Sequence, residues 1–215
     1  MGDERANRSV AGNWTGRAVL LLALGGAAAL SACRTTTPVE GALSAHAVVL
    51  DLPLVRQDEL HACGLASITA LCAYWGVVLL PEERAQLAAT AASERGLSGG
   101  ELRSALVRSG LDAFLFSGSL DRTETGLYGH IDAGRPPLVM LSPDGEAHHY
   151  SLVLGYDEPL ANVILLDPLR GEVLLPVTVF ERNWARCERF TLLAAPRSTE
   201  LNVASSVAAG RDQVR

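Results

Sequence analysis

The sequence predicts an α+β domain, and three observations carry that prediction. Helical patterns fill the first half of the chain, short alternating apolar runs fill the second, and turn chemistry separates those runs. The first 32 residues are set apart from the fold. Arg5, Arg8 and Arg17 give a weakly positive start, and an uncharged apolar run extends from Ala18 to Leu30. That run is short of the roughly 20 residues a permanent membrane helix needs, and it suits the apolar stretch of a secretory signal peptide. Residues 33–47 are small, polar and unperiodic, and are expected to be a tether.

The domain is expected over residues 48–195. Val48 to Leu54 is apolar and β-branched, an entry strand. Cys63 to Tyr74 reads as a largely buried helix ending at Gly76. Pro81 with Glu82 and Glu83 starts a second helix, which stops by Gly96. Ser98 and Glu101 have the spacing of a capping box, and Leu102, Leu106 and Val107 supply the apolar stripe behind it. A strand over Ala113–Phe116 follows, then a helix over Thr123–Ala133. Five short strands come next: 137–141, 149–156, 163–166, 172–175 and 190–193. Pro-Asp-Gly, Asp-Glu-Pro and Asp-Pro-Leu-Arg-Gly mark the turns between them. Residues 196–215 are small and polar and are expected to be a flexible tail.

Composition narrows the function classes. The net charge is −6, and residues 1–32 carry three Arg against Asp3 and Glu4, so removing them leaves −7. No basic stripe is present, which argues against nucleic acid. All 18 basic residues are Arg, from which no mechanism follows. Four cysteines are present: Cys33, Cys63, Cys72 and Cys187. None forms a Cys-x-x-Cys pair, and no His lies at zinc-ligand spacing, so no metal or other cofactor is expected. Setting aside Cys33, at the end of the apolar run, leaves three, and in an exported chain an odd thiol left over suggests a free, reactive cysteine. Cys72 and Cys187 could pair with each other, since Cys72 falls on the opposite face of its helix from Cys63.

Cys63 is the candidate nucleophile. It starts a predicted helix, where unpaired N–H groups and the dipole favour an anion and lower a thiol's pKa. A buried cysteine acting as a small hydrophobe is the competing reading. Gln57, before the helix, can place an amide beside the thiolate and donate to a developing oxyanion. His149 opens one strand and Asp167 closes the next, so an antiparallel pair can bring the carboxylate to the imidazole. His148 and His149 are neighbours on a strand and point to opposite faces, so one of them alone can meet Cys63. Asp167-Pro168 could equally be a turn initiator.

Two resemblances add to this reading. Leu30-Ser31-Ala32-Cys33 resembles the bacterial lipobox, which implies cleavage before Cys33 and acylation of its thiol. Arg34 lacks the Asp that resembles an inner-membrane retention signal, which points to the periplasmic face of the outer membrane. The set Gln57…Cys63-Gly64-Leu65-Ala66, His149-Tyr150…Gly155-Tyr156-Asp157 and Asp167-Pro168…Gly171 resembles the bacteriocin-leader-processing, double-glycine cysteine peptidases. That resemblance spans roughly Val48 to Leu193. It implies a papain-like fold, with Cys63 as nucleophile, His149 as general base, Asp167 as its orienter and Gln57 in the oxyanion hole. The implied partner is a peptide or protein substrate, met at a membrane through the lipid anchor.

Two departures stand out. Ala62 occupies the position where the family usually has Asp, and an exported chain does not meet a cytosolic leader. Two other functions remain open on the residues alone: a non-catalytic peptide-binding lipoprotein of the same fold, and a thiol acyltransferase.

Overall fold

The computed structural model describes residues 42–93 and 96–197. Cys33, the apolar run and residues 198–215 lie outside them.

Helix α1 (Cys63–Tyr74) is the core helix. Every residue from Cys63 to Cys72 is buried except Thr69, whose hydroxyl donates back to Leu65 O. A helix that is apolar nearly all round must be packed on several sides. Helix α2 (Pro81–Ser93) begins with proline and two acids. Its Glu83 forms a two-pronged ion pair with Arg108 of α3 (Gly99–Arg108), both contacts at 2.6 Å. The capping box at Ser98 and Glu101 is present in full.

Seven strands form one antiparallel sheet: β1 (Val48–Val49), β2 (Leu111–Ser117), β3 (Leu138–Leu141), β4 (His149–Asp157), β5 (Asn162–Asp167), β6 (Gly171–Pro176) and β7 (Phe190–Pro196). Their order is β2-β7-β3-β4-β5-β6. Strand β4 is the axis of the sheet. One of its edges is shared by β3, from His149 to Leu152, and by β1, at Gly155 and Tyr156; β5 lies along the other edge. Gly155 is required there. A Cβ would stand 2.0 Å from Val48 O, and the β4–β5 register shifts at the same place.

The sheet separates two apolar clusters. Leu138, Leu152, Leu166 and Leu192 lie in register on one face with α1, α2 and α3. Val139, Val153 and Leu165 belong to the other cluster, with Leu127 and Ile131 of α4 (Leu127–Asp132) and Phe180 and Trp184 of α5 (Val177–Ala185). The architecture is α+β, as the patterning predicts, with helices on both sides of the sheet.

Four local expectations are corrected. The entry strand is two residues long, not seven. After it, Leu50 N–H still donates to Leu154 O at 2.8 Å, but Pro53 has no N–H to extend the ladder. The helix expected from Thr123 begins at Leu127, because Asp121 collects Ser119 Oγ and Thr123 N and Oγ1 in a polar turn. Helix α5 is absent from the sequence reading. Its Val-Thr-Val opening has strand propensity, and the burial of Phe180 and Trp184 one turn apart overrides it. The domain also starts before Val48: Ser44 N and Oγ donate to the carboxylate of Asp157 at 2.6 and 2.8 Å. Residues 42–47 are therefore docked on the end of β4.

Candidate active site

The start of α1 is built to hold an anion. His61 turns the chain with φ +73°, and Ala62 is the N-cap, with no side chain bonding back to the helix. The first amides are thus left without a side-chain competitor. Cys63 sits here, 7% exposed. Burial pushes its thiol upward. The hydrogen bond with His149, the backbone N–H groups of Tyr150 and Gly64 and the charge of the imidazole outweigh burial and hold the pKa below its ordinary value.

His149 is the first residue of β4. Burial disfavours its charged form, but Asp167 and Cys63 on either side raise its pKa to about 9. Its Nε2 stands 3.1 Å from Asp167 Oδ1. The N–H direction is skewed from the line to that oxygen, so the contact is closer to an ion pair than to an aligned hydrogen bond. His148 lies just outside the strand and is exposed. The β4–β5 ladder explains the approach of His149 to Asp167. Leu152 pairs with Leu166, and one further step places Asp167 across from Ser151, diagonal to His149.

Asp167 contacts both the His149 imidazole and the amides of its own turn. Its Oδ1 accepts from the backbone N–H of Leu169 at 2.8 Å and of Arg170 at 3.1 Å, which makes the turn. Its Oδ2 accepts from Arg170 Nε at 2.9 Å and pairs with Nη2 at 2.8 Å. Asp167 is 1% exposed. Burial favours the neutral acid, but His149, the turn amides and Arg170 hold the carboxyl well below the usual carboxylate range. Arg170 is a residue the sequence reading missed. Its signal was its place three residues after an Asp that begins a turn.

Gln57 is near this group but is not aimed at it. Its side-chain Nε2 donates to Glu59 O at 3.2 Å, and its buried Oε1 has no partner among the described residues. A cavity of about 160 Å³ lies between Gln57 and the Ala62, Leu65 and Ala66 face of α1. The Gln57 backbone N–H donates to Pro168 O at 3.1 Å, directly after Asp167. A larger groove, about 510 Å³, opens beside His148 over Met140, Phe190 and Leu115.

The other described thiols make no disulfide with Cys63. Cys63, Cys72 and Cys187 are all free, so the Cys72–Cys187 pairing that the sequence left open is not formed. Burial raises both Cys72, to about 11, and Cys187. Among the described residues, no group of three His, Cys, Asp or Glu side chains could hold a metal.

Comparison with known proteins agrees with the sheet, the helices and the family resemblance. The model of the Peptidase C39 family matches residues 51–199. The fold is similar to that of a double glycine motif protease from an AMS/PCAT transporter, solved in complex with a leader peptide. That match has 19% identity and a TM-score of 0.53, and covers 69% of this chain and 94% of the other. It is also similar to the peptidase domain of Streptococcus ComA, a bi-functional ABC transporter involved in a quorum-sensing pathway. Here identity is 18% and the TM-score 0.54, with 67% and 98% covered. A C39-like protein from Bacillus anthracis aligns at 19% identity and a TM-score of 0.57, over 71% of this chain and 98% of its own. No curated protein matches the sequence. The family match spans well over half of the chain, and the chain therefore belongs to the Peptidase C39 family and is a cysteine peptidase.

Proposed function

We propose that the protein is an exported, lipid-anchored peptidase that hydrolyses peptide bonds with Cys63, His149 and Asp167 as its triad and Gln57 in the oxyanion hole. The observation that carries the triad is electrostatic. One thiol is held low and the imidazole beside it is held high, with a buried carboxylate behind the imidazole. Such a pair is biased toward thiolate and imidazolium relative to an isolated thiol and an isolated imidazole.

The Cys63 thiolate attacks the substrate carbonyl carbon, and the C=O electron pair moves onto oxygen. The uncapped start of α1 leaves its first amides without a side-chain partner, and the second N–H of Gln57, not used by Glu59, would join them once that side chain turns toward the thiol. The imidazolium of His149 then gives its proton to the amine as the C–N bond breaks. An acyl-enzyme remains. Neutral His149 takes a proton from water, the resulting hydroxide attacks the thioester, and the carboxylic acid leaves as the thiolate re-forms. Asp167 supports the imidazolium in each half.

A peptide substrate is supported by the family and by the fold neighbour solved with a leader peptide. Export rests on the apolar run of residues 18–30, and anchoring on acylation of Cys33, with the periplasmic face of the outer membrane as the site. Cys63→Ser is expected to abolish peptide hydrolysis while the protein stays folded. Retained hydrolysis in that variant would end the triad reading. Cys33→Ala is expected to abolish lipid labelling and to release the protein from the membrane fraction. Retention with an intact N-terminus would make residues 18–30 a permanent anchor instead.

A further inference from the structure

The segment before α1 and the turn after β5 are tied together twice. Gln57 N–H donates to Pro168 O at 3.1 Å, and Arg56 Nη1 donates to Leu169 O at 3.0 Å. The turn that receives these bonds is the one whose amides hold the Asp167 carboxylate: Leu169 supplies its N–H to Oδ1 and its carbonyl to Arg56. Gly171 closes the turn with φ +86°, a conformation that L side chains rarely adopt. A Cβ there would stand 3.6 Å from Arg56 Nη2, an ordinary contact, so it is the positive φ that calls for glycine. The carboxylate that orients His149 and the backbone that carries Gln57 are thus parts of one hydrogen-bonded unit, although the two segments are far apart in sequence.

We propose that Arg56 is a positioning residue: by clamping the Asp167–Gly171 turn it sets the Gln57 backbone, and so the Gln57 amide, relative to Cys63. This rests on the oxyanion reading of Gln57 given above. Arg56 does not touch the thiol, the imidazole or the Asp167 carboxylate, so its effect falls on the step in which the oxyanion forms. The Gln57–Pro168 bond alone leaves the segment free to pivot. The second bond, from the neighbouring side chain, fixes its direction.

The test is a double-mutant cycle on peptide hydrolysis, with Cys63 alkylation by iodoacetamide and thermal unfolding as parallel readouts. Arg56→Ala is expected to lower kcat about tenfold, the effect of losing one charge-assisted hydrogen bond. KM should stay within about twofold, and the pH dependence of Cys63 alkylation should be unchanged, because alkylation forms no oxyanion. Arg56→Lys keeps a donor for Leu169 O and should recover most of kcat. Gln57→Ala should cost on the order of a hundredfold, and adding Arg56→Ala to it should cost no more, because Arg56 acts through Gln57. An additive double mutant, or an Arg56→Ala enzyme whose kcat is within twofold of wild type, overturns the inference while leaving the oxyanion role of Gln57 intact. A Gln57→Ala enzyme with undiminished kcat overturns that role itself and the inference with it. Parallel loss of alkylation and thermal stability in Arg56→Ala would make the arginine structural.

Discussion

Nε2 of His149 stands 3.1 Å from Oδ1 of Asp167, and that same oxygen is already taken by two backbone amides of its own turn. The carboxylate is thus fixed by its local chain before the imidazole meets it, which lets a strand end act as a rigid electrostatic support. The support has a measurable consequence. With a pKa of about 9, His149 is largely protonated at neutral pH, and in the proposed mechanism hydrolysis needs that proton for the leaving amine. The imidazolium is therefore nearly complete a unit or more below about 9 and is lost as pH rises through it, which sets the alkaline limb of activity, while protonation of the Cys63 thiolate sets the acid limb. Asp167→Asn removes the charge, so the alkaline limb of kcat/KM should move toward the ordinary imidazole range and turnover at neutral pH should fall. A pH–rate profile decides it, and an unmoved limb would mean that Asp167 only shapes its turn.

The two adjacent histidines offer a second test. His149 lies in the β4 ladder opposite Leu141, while His148 is exposed beside the larger groove. His149→Ala should remove the thiol's reactivity toward iodoacetamide at neutral pH, and His148→Ala should leave most of it. The reverse result would move the catalytic histidine by one residue.

How much of this was legible in the sequence depends on how local the signal was. The capping box of α3, the proline start of α2 and the buried helix after Cys63 are set by neighbours within one or two turns, and they appear where the pattern puts them. The approach of His149 to Asp167 was legible as well, because a hairpin's register follows from its turn and its alternating pattern. Helix α5 was not, because its stability comes from the burial of Phe180 and Trp184 by distant strands. Nor was the docking of Gln57 on Pro168, or of Ser44 on Asp157, since each joins segments far apart in the chain. The Gln57 amide shows the same limit. Its residue type suggested an oxyanion donor, whereas the structure has it bonded to Glu59 O.

Ser44 gives a stability prediction with a definite pH dependence. Asp157 is fully buried. Burial favours its neutral form, but the Ser44 hydrogen bonds and the Leu160 amide hold its pKa below the ordinary value. A carboxyl depressed on folding contributes stability that is present above its unfolded pKa and lost as pH falls through the folded one. Ser44→Ala removes one hydrogen bond to a charge and should cost roughly 1.5–3 kcal/mol at pH 7. The deficit should shrink in acid, where Asp157 is protonated. Urea unfolding at pH 7 and at a series of lower pH values measures both. A chain beginning at Val48 should be less stable still, because it also lacks the Ser44 N–H bond.

The three described thiols allow the sharpest test of the nucleophile. At pH 6.5 an ordinary thiol with a pKa near 8.5 is about one per cent thiolate. Cys72 is worse placed than that, buried among apolar side chains with a pKa of about 11, and burial raises Cys187 too. Cys63 is buried to a similar extent, yet its pKa is lowered by the imidazole and by two backbone amides. Burial alone would make the three alike, so any difference in reactivity comes from these local donors. Brief iodoacetamide treatment of the native protein at pH 6.5, followed by peptide mass spectrometry, should find carbamidomethyl on Cys63 well before Cys187, and on Cys72 only after unfolding. His149→Ala should bring Cys63 back toward the rate of Cys187. If Cys63 in the wild-type protein reacts no faster than the other two, the arrangement at the head of α1 does not make a thiolate, and Cys63 is a core thiol.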